Sequence, residues 1–262
     1  MWPRVRDQKL FASLLGGLIV LTWISLWIWR QSPYGRFLSH QQNENVHNLG
    51  NQYLVLVLLF VAGWTLMTVA MMLPTSLPLV TLFRALVRKR PDRLGLVAVL
   101  IVGYLCVWTL FALVAHVGDL GVHKAVDRIG WLHEHAWVIG AGTVLWAGVY
   151  QFTPLKYRCL EKCRSPMSFM MQHWRGGNRH AEAFRLGLRH GLFCLGCCWS
   201  LMLLMFAVGA GNIGWMLALG AVMAVEKNAP WGRRLSPPLG VGLATCGLIL
   251  IALRTGLPGA GA

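Results

Sequence analysis

The apolar positions of this chain fall in long, nearly unbroken runs, and the polar positions gather between them. The runs lack the strict alternation of a half-buried strand and the single apolar stripe of a soluble helix. About 20 mainly apolar residues is the length of a bilayer-spanning helix. Seven runs are candidates: 10–29, 53–73, 94–115, 136–153, 191–209, 213–225 and 239–253. They predict an all-α fold, a polytopic membrane helix bundle of about seven transmembrane segments forming one integral membrane domain over residues 1–262. The sixth run is short. The fifth and sixth therefore also fit a re-entrant hairpin turning at "GAGN", residues 209–212, with the same orientation of everything around it.

Details at the ends of the runs refine this picture. The first follows Arg4, Arg6 and Lys9, is too long for a signal h-region and meets no small-residue cleavage site, so it reads as a retained anchor. The second runs into "MMLPTSLP", where Pro74 and Pro78 predict a kink or an end. A proline at bilayer depth frees backbone carbonyls, which only a protein-lined or wet site tolerates.

Composition agrees: 56% of residues are hydrophobic and 13% charged, against about 25% charged in soluble domains. The net charge of +15 would suggest nucleic acid in a soluble protein. Here the 24 Lys and Arg sort by loop, 19 on one side of the seven spans and 5 on the other. That is the positive-inside bias. It predicts the inner (cytoplasmic) membrane, the N-terminus inside and the C-terminus outside, and it removes the case for nucleic acid.

The seven cysteines cannot all pair with one another. Three sit in "CLGCCWSLMLLM", from Cys194 to Met205. On a helix His190, Cys194, Cys197, Cys198, Met202 and Met205 share one face of about 140°. Thiolates and thioethers suit Cu(I), and thiolates also suit zinc or an iron–sulfur centre. Cysteine and methionine equally serve as core packing. Met71 and Met72 precede Pro74 in the inner half of the second span, at the depth of these cysteines. Cys159 and Cys163, one helical turn apart, lie just past the inner end of the fourth span.

Other groups carry weaker patterns. His116, His123, His133 and His135 gather in one outer loop, and His40 and His47 in another; imidazoles there would take Cu(II) or Zn(II). Glu226 and Lys227 close the sixth run, where the acid reads as a structural boundary group paired locally with Lys227 or with loop arginines. No P-loop, Gly-x-Ser-x-Gly, His-Glu-x-x-His or intramembrane carboxylate pair occurs, so an enzymatic role would rest on thiol or metal redox chemistry.

The stretches "AMMLPTSLP", "YQFTPLKYRCLEKCRSP", "GLFCLGCCWSLMLLMFAVG", "GNIGWM" and "EK" occur in this order. Together they resemble the domain-of-unknown-function 2182 family, described as predicted metal-binding integral membrane proteins. The resemblance spans roughly Trp64 to Asn228. It implies that Met71, Met72, Pro74, Lys156, Cys159, Cys163, Cys194, Cys197, Cys198, Trp199, Asn212 and Glu226 matter. Where that family has Met before the hairpin Asn, this chain has Gly211, so one thioether is missing from the turn.

The expected function is binding of a soft transition metal, copper favoured over zinc, for transport, handling or metallocentre assembly. The expected ligands are Cys194, Cys197, Cys198, Met71, Met72, Cys159, Cys163 and His190. The expected partners are the lipid bilayer and a metallochaperone or metalloprotein. A membrane thiol-disulfide oxidoreductase and a non-metal scaffold for a partner protein are the alternatives.

Overall fold

The computed structural model describes residues 5–31, 50–174, 177–208 and 212–255. Among them every regular element is helical. The order is α1 (Val5–Gln31), α2 (Gly50–Met71), a 3₁₀ turn (Pro74–Ser76), α3 (Leu77–Leu86), α4 (Arg93–Arg128), α5 (Gly130–Glu134), α6 (Trp137–Tyr150) and α7 (Pro154–Arg164). It continues with α8 (Pro166–His173), α9 (Arg179–Val208), α10 (Ile213–Asn228), a second 3₁₀ turn (Gly232–Leu235) and α11 (Ser236–Thr255).

The all-α expectation holds, and the spans are distributed unevenly. Three described helices are long and apolar enough to cross a membrane: Arg93–Arg128, Arg179–Met205 and Gly232–Thr255. Val57–Met71 and Pro74–Leu86 make a fourth if taken as one bent span. Gly16–Ile28 and Trp137–Tyr150 are shorter apolar stretches. Length alone therefore does not yield seven spans: the 14 residues of α6 and the 16 of α10 reach about 21 and 24 Å at 1.5 Å per residue, below the ~30 Å hydrocarbon thickness. α9 also starts at Arg179, twelve residues before the expected span, so part of the basic loop expected inside is helical. The histidine-bearing loop expected outside is largely helical too, because α4 runs on to Arg128.

α9 is the central element. It packs on α4, α6 and α7, while α6 pairs with α11 and α2 with α1 and α4. Glycine sets the closest approach. A Cβ on Gly187 of α9 would collide with the Leu100 carbonyl of α4, and one on Gly103 of α4 would collide with the Phe184 carbonyl of α9. Small residues at such crossings let two backbones meet.

The proline kink takes the form the sequence predicts, with a bend of 46° between the two arms. The Met72 carbonyl loses its helical partner there. It accepts instead from Thr75 Oγ1 at 2.8 Å, Ser76 Oγ at 3.3 Å and Tyr104 Oη at 3.4 Å. The freed carbonyl is thus re-satisfied by hydroxyls, one of them from α4. Two helix starts are equally explicit. Thr153 caps α7 through Lys156 N, ahead of Pro154, and the Asn212 side chain accepts from Trp215 N to open α10. Asn212 therefore reads as a helix cap, the role short polar residues fill best.

Candidate metal centre

The kink, α9 and the end of α10 meet in a buried sulfur cluster. Met72, Cys194, Cys197 and Cys198 are each at most 1% exposed. Cys198 Sγ lies 3.8 Å from Met72 Sδ. Tyr104 Oη lies 3.1 Å from Cys194 Sγ. The last member is Lys227 of α10, whose Nζ is 3.0 Å from Cys194 Sγ, 3.3 Å from Thr75 Oγ1 and 3.7 Å from both Met72 Sδ and Cys198 Sγ. Two thiols and a thioether from two separate elements thus surround one cation.

Cys197 points elsewhere. Its Sγ is 4.0 Å from Cys163 Sγ of α7. Cys159 reaches the same helix beside Gly196, where a Cβ would come within 2.6 Å of its sulfur. The glycine of "LGCC" is what lets this thiol approach α9. Tyr150 adds an edge-on ring contact to Trp199, centroids 5.1 Å apart, and donates to the Gly196 carbonyl. Burial pushes the Cys159 thiol up, and hydrogen bonding to the Cys194 and Cys197 sulfurs pushes the Cys163 thiol well up. Both α7 cysteines are therefore protonated thiols until something displaces the proton.

The remaining expected ligands are placed less centrally. Met71 is buried and lies against Gly220 of α10, so Met72 is the thioether that meets Cys198. His190 Nε2 lies 3.2 Å from Ser76 Oγ, with the ring beside Tyr104 and Phe169. The outer histidines are dispersed. His116 packs on the Phe60 ring, His123 turns back onto the Asp119 carbonyl and His135 stacks on Trp131. His40 and His47 lie outside the described residues.

A second polar network flanks the cluster. Lys156 Nζ donates to Glu226 Oε1 at 2.7 Å and also to Gln151. Ser236 Oγ donates to the same carboxylate oxygen at 2.6 Å. Arg164 donates to the Glu226 and Pro230 carbonyls. The Glu226 carboxylate is therefore held by Lys156 and not by Lys227, and the loop arginine expected as its alternative partner, Arg164, reaches only its backbone carbonyl. Successive helical residues point about 100° apart, which sends the acid to α7 and the lysine to the sulfurs. That divergence was available in the sequence; Tyr104 and Thr75 carried no signal there.

Among the described residues no three His, Cys, Asp or Glu side chains converge as a metal-holding group, the arrangement structural zinc sites use. The converging donors are two thiols and one thioether. This soft set fits Cu(I), whereas zinc rarely takes a thioether.

A family model described as PpoB2, copper chaperone, matches residues 61–250. The chain belongs to that family. The match contains the kink, the α7 cysteines, the α9 cysteines and the end of α10. A copper-related function follows from membership, and the metal-binding character implied by the sequence resemblance agrees with it at that level. No curated protein and no solved structure matches the chain.

Proposed function

We propose that this protein is a membrane-embedded Cu(I) chaperone that holds copper at Cys194, Cys198 and Met72. Cys159, Cys163 and Cys197 form an adjoining thiol group through which copper enters or leaves. The 19-to-5 split of Lys and Arg over the seven expected spans supports a topology with α7 at the cytoplasmic face of the inner membrane and the N-terminus inside, in which these thiols face that side. The partner is then a protein that donates copper to α7 or receives it for metallocentre assembly.

The observation that carries this reading is the contact of Cys198 Sγ with Met72 Sδ at 3.8 Å. Buried thiols beside a thioether form a soft donor set, and the proline kink that delivers Met72 is itself stabilised by hydroxyls. The test is metal analysis of the full chain purified in nanodiscs and loaded anaerobically with Cu(I). Near-stoichiometric copper in wild type, lost in C194S/C197S/C198S, supports the reading. Equal copper in both proteins refutes it.

The 4.0 Å between Cys163 and Cys197 sulfurs favours a second reading, a thiol-disulfide oxidoreductase. Thiols that cycle against a quinone or a dithiol carrier in copper-free protein would support that reading instead.

A further inference from the structure

Lys227 is a buried cation, 5% exposed, and its surroundings are unusual. Among the described residues its polar neighbours are Cys194 Sγ, Thr75 Oγ1, Met72 Sδ and Cys198 Sγ, with no carboxylate among them. The adjacent Glu226 is committed to Lys156 and Ser236. An ammonium taken out of water needs a compensating negative charge, and the nearest groups able to carry one are the two thiols. An ammonium cannot ligate a metal, because it has no lone pair. It can only add its charge.

We infer that Lys227 is the charge-selecting residue of the sulfur site, so that the site accepts a monovalent soft cation in preference to a divalent one. This rests on the copper reading and deepens it. Metal binding takes both thiols as thiolates. With Cys194 and Cys198 as thiolates and Lys227 as ammonium, the cluster carries one net negative charge. A monovalent cation brings it to neutrality. A divalent cation leaves one uncompensated positive charge in a buried site. Without the lysine the balance reverses: the thiolates then carry two negative charges, which a divalent cation neutralises and a monovalent one does not. Ligand softness alone cannot separate Cu(I) from other thiophilic ions; a fixed cation at 3.0 to 3.7 Å from both thiols can.

The test uses the full chain in nanodiscs, anaerobically, with Cu(I) and Zn(II) each titrated against a competing chelator. In Lys227→Met the ratio of Cu(I) to Zn(II) affinity should fall at least about tenfold, a modest effect for one unit charge within 4 Å. Lys227→Gln, a second neutral variant, should fall likewise. The decisive background is Cys198→Ser. With one thiolate left, the lysine and a monovalent metal give a net positive site, so adding Lys227→Met should raise Cu(I) affinity there while lowering it in wild type. A packing role predicts the same direction in both backgrounds, and that result overturns the inference, as does an unchanged Cu(I)-to-Zn(II) ratio in both neutral variants. Wild type that takes up no Cu(I) fails the copper reading itself; wild type that binds Cu(I) while the ratio stays fixed fails the charge role alone.

Discussion

Cys198 Sγ meets Met72 Sδ at 3.8 Å across 126 positions of sequence. The contact joins the centre of α9 to the last turn before a proline kink. It has consequences for ligand removal, for the groups around the ligands and for the helix crossing that holds α9 in place.

Removing a ligand should cost more than removing a neighbour of a ligand. Outer-shell changes commonly cost about 10- to 100-fold in metal affinity. Tyr104 Oη touches Cys194 Sγ at 3.1 Å, so Tyr104→Phe should fall in that range. Cys198→Ser and Met72→Leu should exceed it. Met71→Leu should stay near wild type, because that side chain lies against Gly220. Competitive Cu(I) titration orders the four variants; an equal loss in Met71→Leu and Met72→Leu would contradict the assignment.

Copper uptake at the α7 side should depend on pH. The Cys159 and Cys163 thiols are both pushed up, so each stays protonated through the neutral range. A thiolate is the ligand, so binding must release those protons. Affinity then rises with pH, by about tenfold per unit for each proton displaced, and levels off once the pH passes the raised values. Titrations between about pH 6.5 and 8.5 should show a smaller slope in C159S/C163S than in wild type. Equal slopes would remove these thiols from the binding reaction.

Much of this arrangement was legible in the chain. The kink at Pro74, the burial of the α9 cysteines beside it and the helix turn of Cys159 and Cys163 all follow from local pattern. A helical wheel, though, gives direction without partners. It put Cys197 and Cys198 on one broad ligand face, yet α9 has neighbours on several sides. Cys197 turns to α7 and Cys198 to the kink. Helix bounds depart from the hydropathy runs for a related reason: α6 is only 14 residues long, and α9 continues into polar sequence. Packing partners, which hydropathy does not encode, decide where such helices begin and end.

The buried ion pair makes a separate prediction. Lys156 is 0% and Glu226 2% exposed, and the two lie 2.7 Å apart. Breaking a buried pair by removing one partner strands the other charge, typically at about 3–5 kcal/mol. Lys156→Met should therefore lower the thermal midpoint strongly. Lys156→Met combined with Glu226→Gln should recover most of the loss, since no charge is then left unpaired. Additive losses in the double variant would show that the two residues act independently.

The crossing of α4 and α9 should tolerate no added side chain. A Cβ on Gly187 meets the Leu100 carbonyl and lies 3.0 Å from Tyr104 N, all backbone atoms that no rotamer change can move aside. Overpacking a core costs about 1–3 kcal/mol when side chains can yield, and more when they cannot. Gly187→Leu should reach the upper end or beyond, and it should act on the metal site as well. Tyr104 sits at this crossing and its hydroxyl bridges to both Cys194 and the Met72 carbonyl. Pushing α4 from α9 breaks that bridge while leaving every sulfur ligand present. Gly187→Leu should therefore lose Cu(I) affinity by about the factor expected of Tyr104→Phe, roughly 10- to 100-fold, along with its stability. The two variants combined should lose little more affinity than either alone, because they remove the same contact. Multiplicative losses would mean that the crossing supports the sulfurs by a route other than Tyr104.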